Sequence, residues 1–231
     1  MSFNFFSVEE GDLDLRPLIE KSIFVSFIQA SGEVDMSQNK VYFNDLYISS
    51  ESAKFEANGS ISDSDGGTIK LNGKIRDWSN NDLKRLWPQN ILPPVRGWYL
   101  NSIKSGKIND GEVFIDISSN QLKRKELNSQ SIVAKLNISN VSLQYLQSFP
   151  HLNKARGFIQ INPKKFLGAL ESGFVAEVPI SEGSIELNLN NSKKWIADID
   201  FIGKGKNKEI LNLLNNHPIN VSEKFILNPN N

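Results

Sequence analysis

Residues 184–190 read Ser184-Ile185-Glu186-Leu187-Asn188-Leu189-Asn190, with an apolar side chain at every second position and a polar one between. Successive side chains of an extended chain point to opposite faces, so this run makes a strand with one dry face and one wet face. The same period returns in Val113, Ile115 and Ile117, and in Ile132, Ala134, Leu136 and Ile138. It returns again in Trp195, Ala197, Ile199 and Phe201. A chain that restarts this pattern so often is mostly antiparallel β. What its apolar face meets is the functional question.

The punctuation between runs supports that class. Strands are expected over Ile23–Val34, Val41–Ser49, Lys54–Ile61, Ile69–Ile75, Ile108–Ser118, Ser131–Ser139, Gly157–Asn162, Gly173–Pro179, Gly183–Asn190 and Lys194–Gly203. Short spacing with Gly, Asn and Ser turns marks a meandering antiparallel architecture rather than strand-helix alternation. Three short helical pieces are expected, at Ser79–Trp87, Val141–Phe149 and Asn207–His217, each stopped by the proline that follows. Their spacing suggests one β-rich segment, 1–231, with sub-repeats over 1–90, 91–150 and 151–231.

Composition narrows the function classes. Lys and Arg number 26 against 26 Asp and Glu, which leaves no electrostatic case for nucleic acid or an anionic membrane surface. The densest basic cluster, Lys123-Arg124-Lys125, is followed at once by Glu126 and reads as a solvated turn. There is no cysteine, hence no disulfide frame and no thiolate chemistry. The longest apolar stretch, Ile23 to Ile28, falls far short of the ~20 residues that cross a bilayer. Met1-Ser2-Phe3-Asn4-Phe5-Phe6 lacks the basic start of a secretory signal and runs straight into strand-like sequence, so either a cytosolic protein or a piece of a longer exported chain is expected.

Catalytic signatures are sparse. The two histidines, His151 and His217, each lie beside a proline and away from any carboxylate cluster. Gly203-Lys204-Gly205-Lys206 precedes a helix without phosphate-loop spacing and reads as a strand-to-helix turn. Asp198 and Asp200 alternate with Ala197, Ile199 and Phe201, which assigns them to a wet strand face. No enzymatic activity, metal or cofactor is expected. Trp78, Trp87 and Trp98 bracket one segment and are expected to anchor a helix over the sheet, with Arg96 pairing locally.

Three stretches carry a family resemblance. The first is Leu86-Trp87-Pro88, then Pro94-Val95-Arg96-Gly97-Trp98, then Asn101 through Gly106-Lys107-Ile108. The second runs from Ala134 to Tyr145, through Phe149-Pro150-His151-Leu152 to Ala155-Arg156-Gly157. The third is Asp200-Phe201-Ile202-Gly203 with Ile210 to Leu214 and His217-Pro218-Ile219. Together they resemble the AsmA-like proteins of Gram-negative bacteria, specifically the large YhdP-type members, over most of the chain from about Gly32 onward.

That resemblance implies an elongated, curled antiparallel sheet with short capping helices, forming a hydrophobic groove that carries phospholipid between inner and outer membranes. It implies a periplasmic location and an inner-membrane anchor that this sequence does not include. The implied partners are phospholipid acyl chains. The candidate groove residues are Val113, Ile115, Ile117, Ile132, Ala134, Leu136, Ile138, Ile185, Leu187 and Leu189. A ~16-carbon tail leaving a bilayer loses roughly 13 kcal/mol, at about 0.8 kcal/mol per CH₂, and a continuous apolar trough returns it without chemistry. A closed β-sandwich or barrel with a dry core, serving as a structural or binding module, yields the same alternation. A hydrolase or carbohydrate-acting enzyme is a third reading.

Overall fold

A two-residue period commits the backbone to extended pairing, and the chain pairs for most of its length. The structure, a computed structural model, describes residues 1–7, 9–14, 22–63, 67–87, 89, 91–124, 126–145, 148–190, 195–217 and 219–221. The first strands are β1 (Ser2–Phe6), β2 (Gly11–Leu13), β3 (Ile23–Val25), β4 (Phe27–Asp35), β5 (Lys40–Ser50), β6 (Ala53–Ser62) and β7 (Thr68–Ser79). Helices α1 (Asn80–Leu86) and α2 (Pro93–Ser102) follow, then β8 (Ile103–Ser118) and α3 (Ser119–Arg124). The remainder is β9 (Ile132–Leu143), β10 (Leu152–Asn162), β11 (Lys165–Val175), β12 (Val178–Leu189), β13 (Trp195–Gly203) and α4 (Asn207–Leu214).

Eleven strands form one antiparallel sheet, ordered β1-β4-β5-β6-β7-β8-β9-β10-β11-β12-β13, while β2 and β3 make a separate hairpin. The sheet is open among the described residues, where β1 and β13 each have a single neighbour. A closed barrel is therefore excluded. At about 4.8 Å between strands the sheet spans roughly 48 Å along its hydrogen bonds.

Bulges break the two-residue phase without moving apolar residues off their face. Phe43 pairs with Gly59 and Leu46 with Ala57, so Phe43 and Leu46 share a face although three residues apart. A seam of bulges crosses β8, β9 and β10, between Ile108 and Asp110, between Ile138 and Val141, and between Asn153 and Gly157. Beyond that seam the strand ends hold the largest buried cluster, which includes Ile103, Leu143, Leu152, Val175 and Ile180.

Glycine is required where strands approach too closely for a side chain. At Gly59 (φ +147°) a Cβ would stand 2.0 Å from the Lys70 carbonyl oxygen. Neither strand can retreat without losing its ladder. Gly59→Ala is expected to cost about 3 kcal/mol, read as a lower urea midpoint with unchanged m.

Several expectations need correction. Val141–Phe149 is not a helix: Val141–Leu143 finish β9, where Leu143 pairs with Ile103 and Leu152, and the described residues that follow are irregular. Available strand partners outweigh weak local helical preference there. The strand expected over Ile23–Val34 divides at Ser26 into β3 and β4, which lie in different sheets. The one expected over Gly173–Pro179 contains the hairpin turn at Ala176 (φ 51°) and Glu177 instead. Helices α2 and α3 and most of β11 lie outside the expected elements. Lys123 and Arg124, read as a turn, end α3.

Helix α1 forms as its sequence directs. The Ser79 hydroxyl accepts from the Asp82 amide at 3.1 Å and the Asp82 carboxylate accepts from the Ser79 amide at 2.9 Å, a reciprocal cap. Leu83 packs on the cluster of Ile75, Ile108 and Leu136, Leu86 on Val25, and Trp87 on Leu92, Val95, Ile117 and Ile132. In α4, Ile210 and Leu213 meet the large cluster, rather than the expected trio Ile210, Leu211 and Leu214. Residues three apart on a helix share a face, and here that face is set by Ile210.

Candidate functional site

Strand pairing fixes which side chains share a face, and here it aligns apolar residues across the whole sheet. One row of paired positions runs Phe5, Ala30, Leu46, Ala57, Gly73, Val113, Ala134, Ile161, Phe166, Leu187, Ala197, from β1 to β13. Every member is apolar or glycine. The next row runs Ile28, Ile48, Phe55, Ile75, Gly111, Leu136, Ile159, Gly168, Ile185, Ile199, again with no polar residue. The single-strand alternation is thus in register over eleven strands.

Nine of the ten candidate groove residues are described to their side chains, and pairing puts all nine on this face. Ile117, Ile132, Leu136 and Ile185 are buried, while Val113, Ile115, Ala134, Ile138 and Leu187 are half-buried. Leu189 pairs with Trp195 at the end of β12, and the side chains of both lie outside the described residues.

The middle of the face is covered. Helices α1 and α2, joining β7 to β8, lie over it, with Leu92 and Val95 buried against Ile117 and Ile132. The Trp98 ring meets Phe166 at 5.5 Å between centroids, and Trp87 meets Tyr99 at 5.7 Å. The Trp87 indole donates to the Ile91 carbonyl at 2.7 Å, and the Arg96 guanidinium donates to the Trp87 carbonyl at 3.2 Å, the local role expected of it. A residual cavity of ≈ 60 Å³ remains beneath, walled by Trp98, Tyr99, Ile138, Ile159, Ile161 and Phe166 among others. Two waters would fill that volume. An acyl chain does not fit there unless the helices move.

Cover thins toward β1. Phe3 stacks on Phe5 at 5.6 Å and meets Phe43 edge-on at 6.0 Å, yet among the described residues none of these three belongs to a buried cluster. Phe5 keeps 66% of its surface exposed. At the other flank Tyr145, two residues after β9, meets Phe201 of β13 at 5.7 Å. The Tyr145 hydroxyl is buried without a partner, and burial pushes its pKa up to about 12.

The wet face is organised too, and alternation alone does not reveal how. A row of paired positions there runs Gln29, Tyr47, Glu56, Lys74, Glu112, Lys135, Gln160. Beside it run Asn58, Asn72, Phe114 and Val133. Apart from Gln160, the residues of these two rows line a hollow of ≈ 770 Å³. A second hollow of ≈ 380 Å³ shares Lys74, Glu112 and Lys135 with it and continues to Arg76, Asp110 and Asn137. The sequence signal for this site is Phe114, a large aromatic at a wet-face position between Val113 and Ile115.

Among the described residues no three acidic or histidine side chains gather as a metal site, and none of the described helices is long and apolar enough to cross a membrane. Asp198 and Asp200 are exposed on the wet face. No family model, no curated protein and no solved structure matches the chain.

Proposed function

We propose that this chain is a non-enzymatic segment of an AsmA-like, YhdP-type envelope protein, and that its apolar sheet face holds phospholipid acyl chains in transit between the inner and outer membranes. The observation that carries the reading is the uninterrupted apolar row from Phe5 to Ala197. A dry core needs apolar residues only where something covers them, yet this row continues to a flank where Phe5 stands open. An acyl chain gains about 0.8 kcal/mol per buried CH₂ wherever it meets such a surface. The Phe3, Phe5, Ala30 and Phe43 flank is the entry, and α1 with α2 is the removable cover over the middle. The site is periplasmic in this reading.

Native mass spectrometry of the purified protein tests this. Phospholipid adducts that survive mild desolvation are expected. A clean apo spectrum would favour the second reading, which the small volume left under Trp98 supports: an open sheet whose apolar face is simply the core of a structural module.

A further inference from the structure

The ≈ 770 Å³ hollow on the wet face has the size of a ligand cleft and is unused by the lipid reading. Its floor is the centre of the sheet, β4 to β9, where strands pair on both sides, so its shape is pre-organised. Across it Glu56, Lys74, Glu112 and Lys135 alternate in sign on neighbouring strands, about 4.8 Å apart. Glu56 lies 3.9 Å from Arg76, whereas Lys74, Glu112 and Lys135 form no ion pair among the described residues. All three line the hollow.

Alternation of sign excludes most ligands. A polyanion meets Glu56 and Glu112 as often as Lys74 and Lys135, and a polycation meets the lysines, so neither gains net attraction. An extended peptide would leave its own backbone unpaired, because the cleft lies mid-sheet where no free strand edge is offered. A neutral polyhydroxyl chain suits every group. Each hydroxyl accepts from a lysine and donates to a glutamate, and both are charge-assisted bonds. The amides of Asn58 and Asn72 serve either role. Phe114, 38% exposed beside Asn72, offers a ring face to the C–H face of a sugar.

We propose that this cleft binds a neutral oligosaccharide, lying across β5 to β9 with one sugar ring on Phe114. The adjoining ≈ 380 Å³ hollow, walled by the same Lys74, Glu112 and Lys135, extends the path for a longer chain.

The test is calorimetric titration of the intact chain with cellotetraose, chitotetraose and maltotetraose. Saturable one-to-one binding of at least one is expected, changing less than about twofold as salt is raised, since no net charge is exchanged. Phe114→Ala and Glu112→Gln are each expected to weaken it about tenfold. Should either variant lose its native circular dichroism, Lys135→Met at the far wall takes its place with the same expectation. No saturation by any of the three up to about 10 mM overturns the proposal. So does binding that Phe114→Ala or Lys135→Met leaves intact, or saturable binding of an alternating Glu-Lys hexapeptide in place of the sugars. Phospholipid adducts should persist in all three variants, so failure here leaves the apolar-face reading standing.

Discussion

Leu187→Asp is expected to strip bound phospholipid from the protein, while Glu186→Lys one residue away leaves loading intact. Leu187 sits in the long apolar row between Phe166 and Ala197 and packs on the large cluster. A carboxylate there has no partner and must stay hydrated or take up a proton, at a cost of about 3 kcal/mol. It also interrupts the row. Glu186 points the other way, where Lys165 lies 2.6 Å from its carboxylate and the Asn188 amide donates to it at 2.7 Å. The lysine and the amide hold its carboxyl below the usual carboxylate range. A depressed pKa gives stability that is present above the unfolded value and fades only as pH falls through the folded one. At neutral pH that contribution is intact and, for an exposed pair, small. Lipid adducts by native mass spectrometry and urea midpoints should be read on the same samples. A folded Leu187→Asp protein without lipid supports the trough, outright unfolding supports a plain core, and equal loading of both variants removes this face from the function.

Why the fold class was legible while several element ends were not follows from the bulges. Alternation reports a face only while its phase holds. The expected β8 starts at Ile108 and the expected β9 stops at Ser139, the two sides of the bulge seam. Both strands continue past it with the phase shifted, so Ile103 and Val141 fell outside the pattern. The alternation places the start of the return strand at Gly157 for the same reason, although β10 begins at Leu152. Helix α2 was hidden differently. It opens on two prolines, carries Gly97, and its cap residue Leu92 is left-handed (φ 49°) with no side-chain bond to the helix. Its stability comes from Val95, Trp98 and Tyr99 meeting the sheet, contacts that no local signal announces. The apolar face could be read from Ile185 and Leu187 alone. Its continuity across eleven strands, its helical cover and the cleft behind it depend on register, which pairing sets and a single strand does not carry.

That helical cover is the subject of the other large effect. Trp98→Ala is expected to destabilise the protein by about 3–5 kcal/mol and at the same time to increase its phospholipid occupancy. The ring closes the apolar face by packing on Phe166 and walls the ≈ 60 Å³ cavity with Ile138, Ile159 and Ile161. Removing it joins the lost indole volume to that cavity. An apolar void of about 150 Å³ stays dry and accepts apolar guests, so the space becomes available to an acyl chain rather than to water. Bound lipid then returns part of the lost stability by mass action, and the urea midpoint of the variant should rise when phospholipid is added, more than that of the parent protein. Trp78→Ala is the comparison. Its indole donates to the Lys54 carbonyl at 2.8 Å in an exposed bond, and it lines the cavity from the α1 end beside Leu83. It does not stack on Phe166, so a smaller change in both readings is expected. A Trp98→Ala protein that loses stability with no gain in lipid would mean that α2 covers a core and gates nothing. The lipid seat would then be confined to the Phe3, Phe5 and Phe43 flank, where the same adducts should vanish on Ala30→Asp.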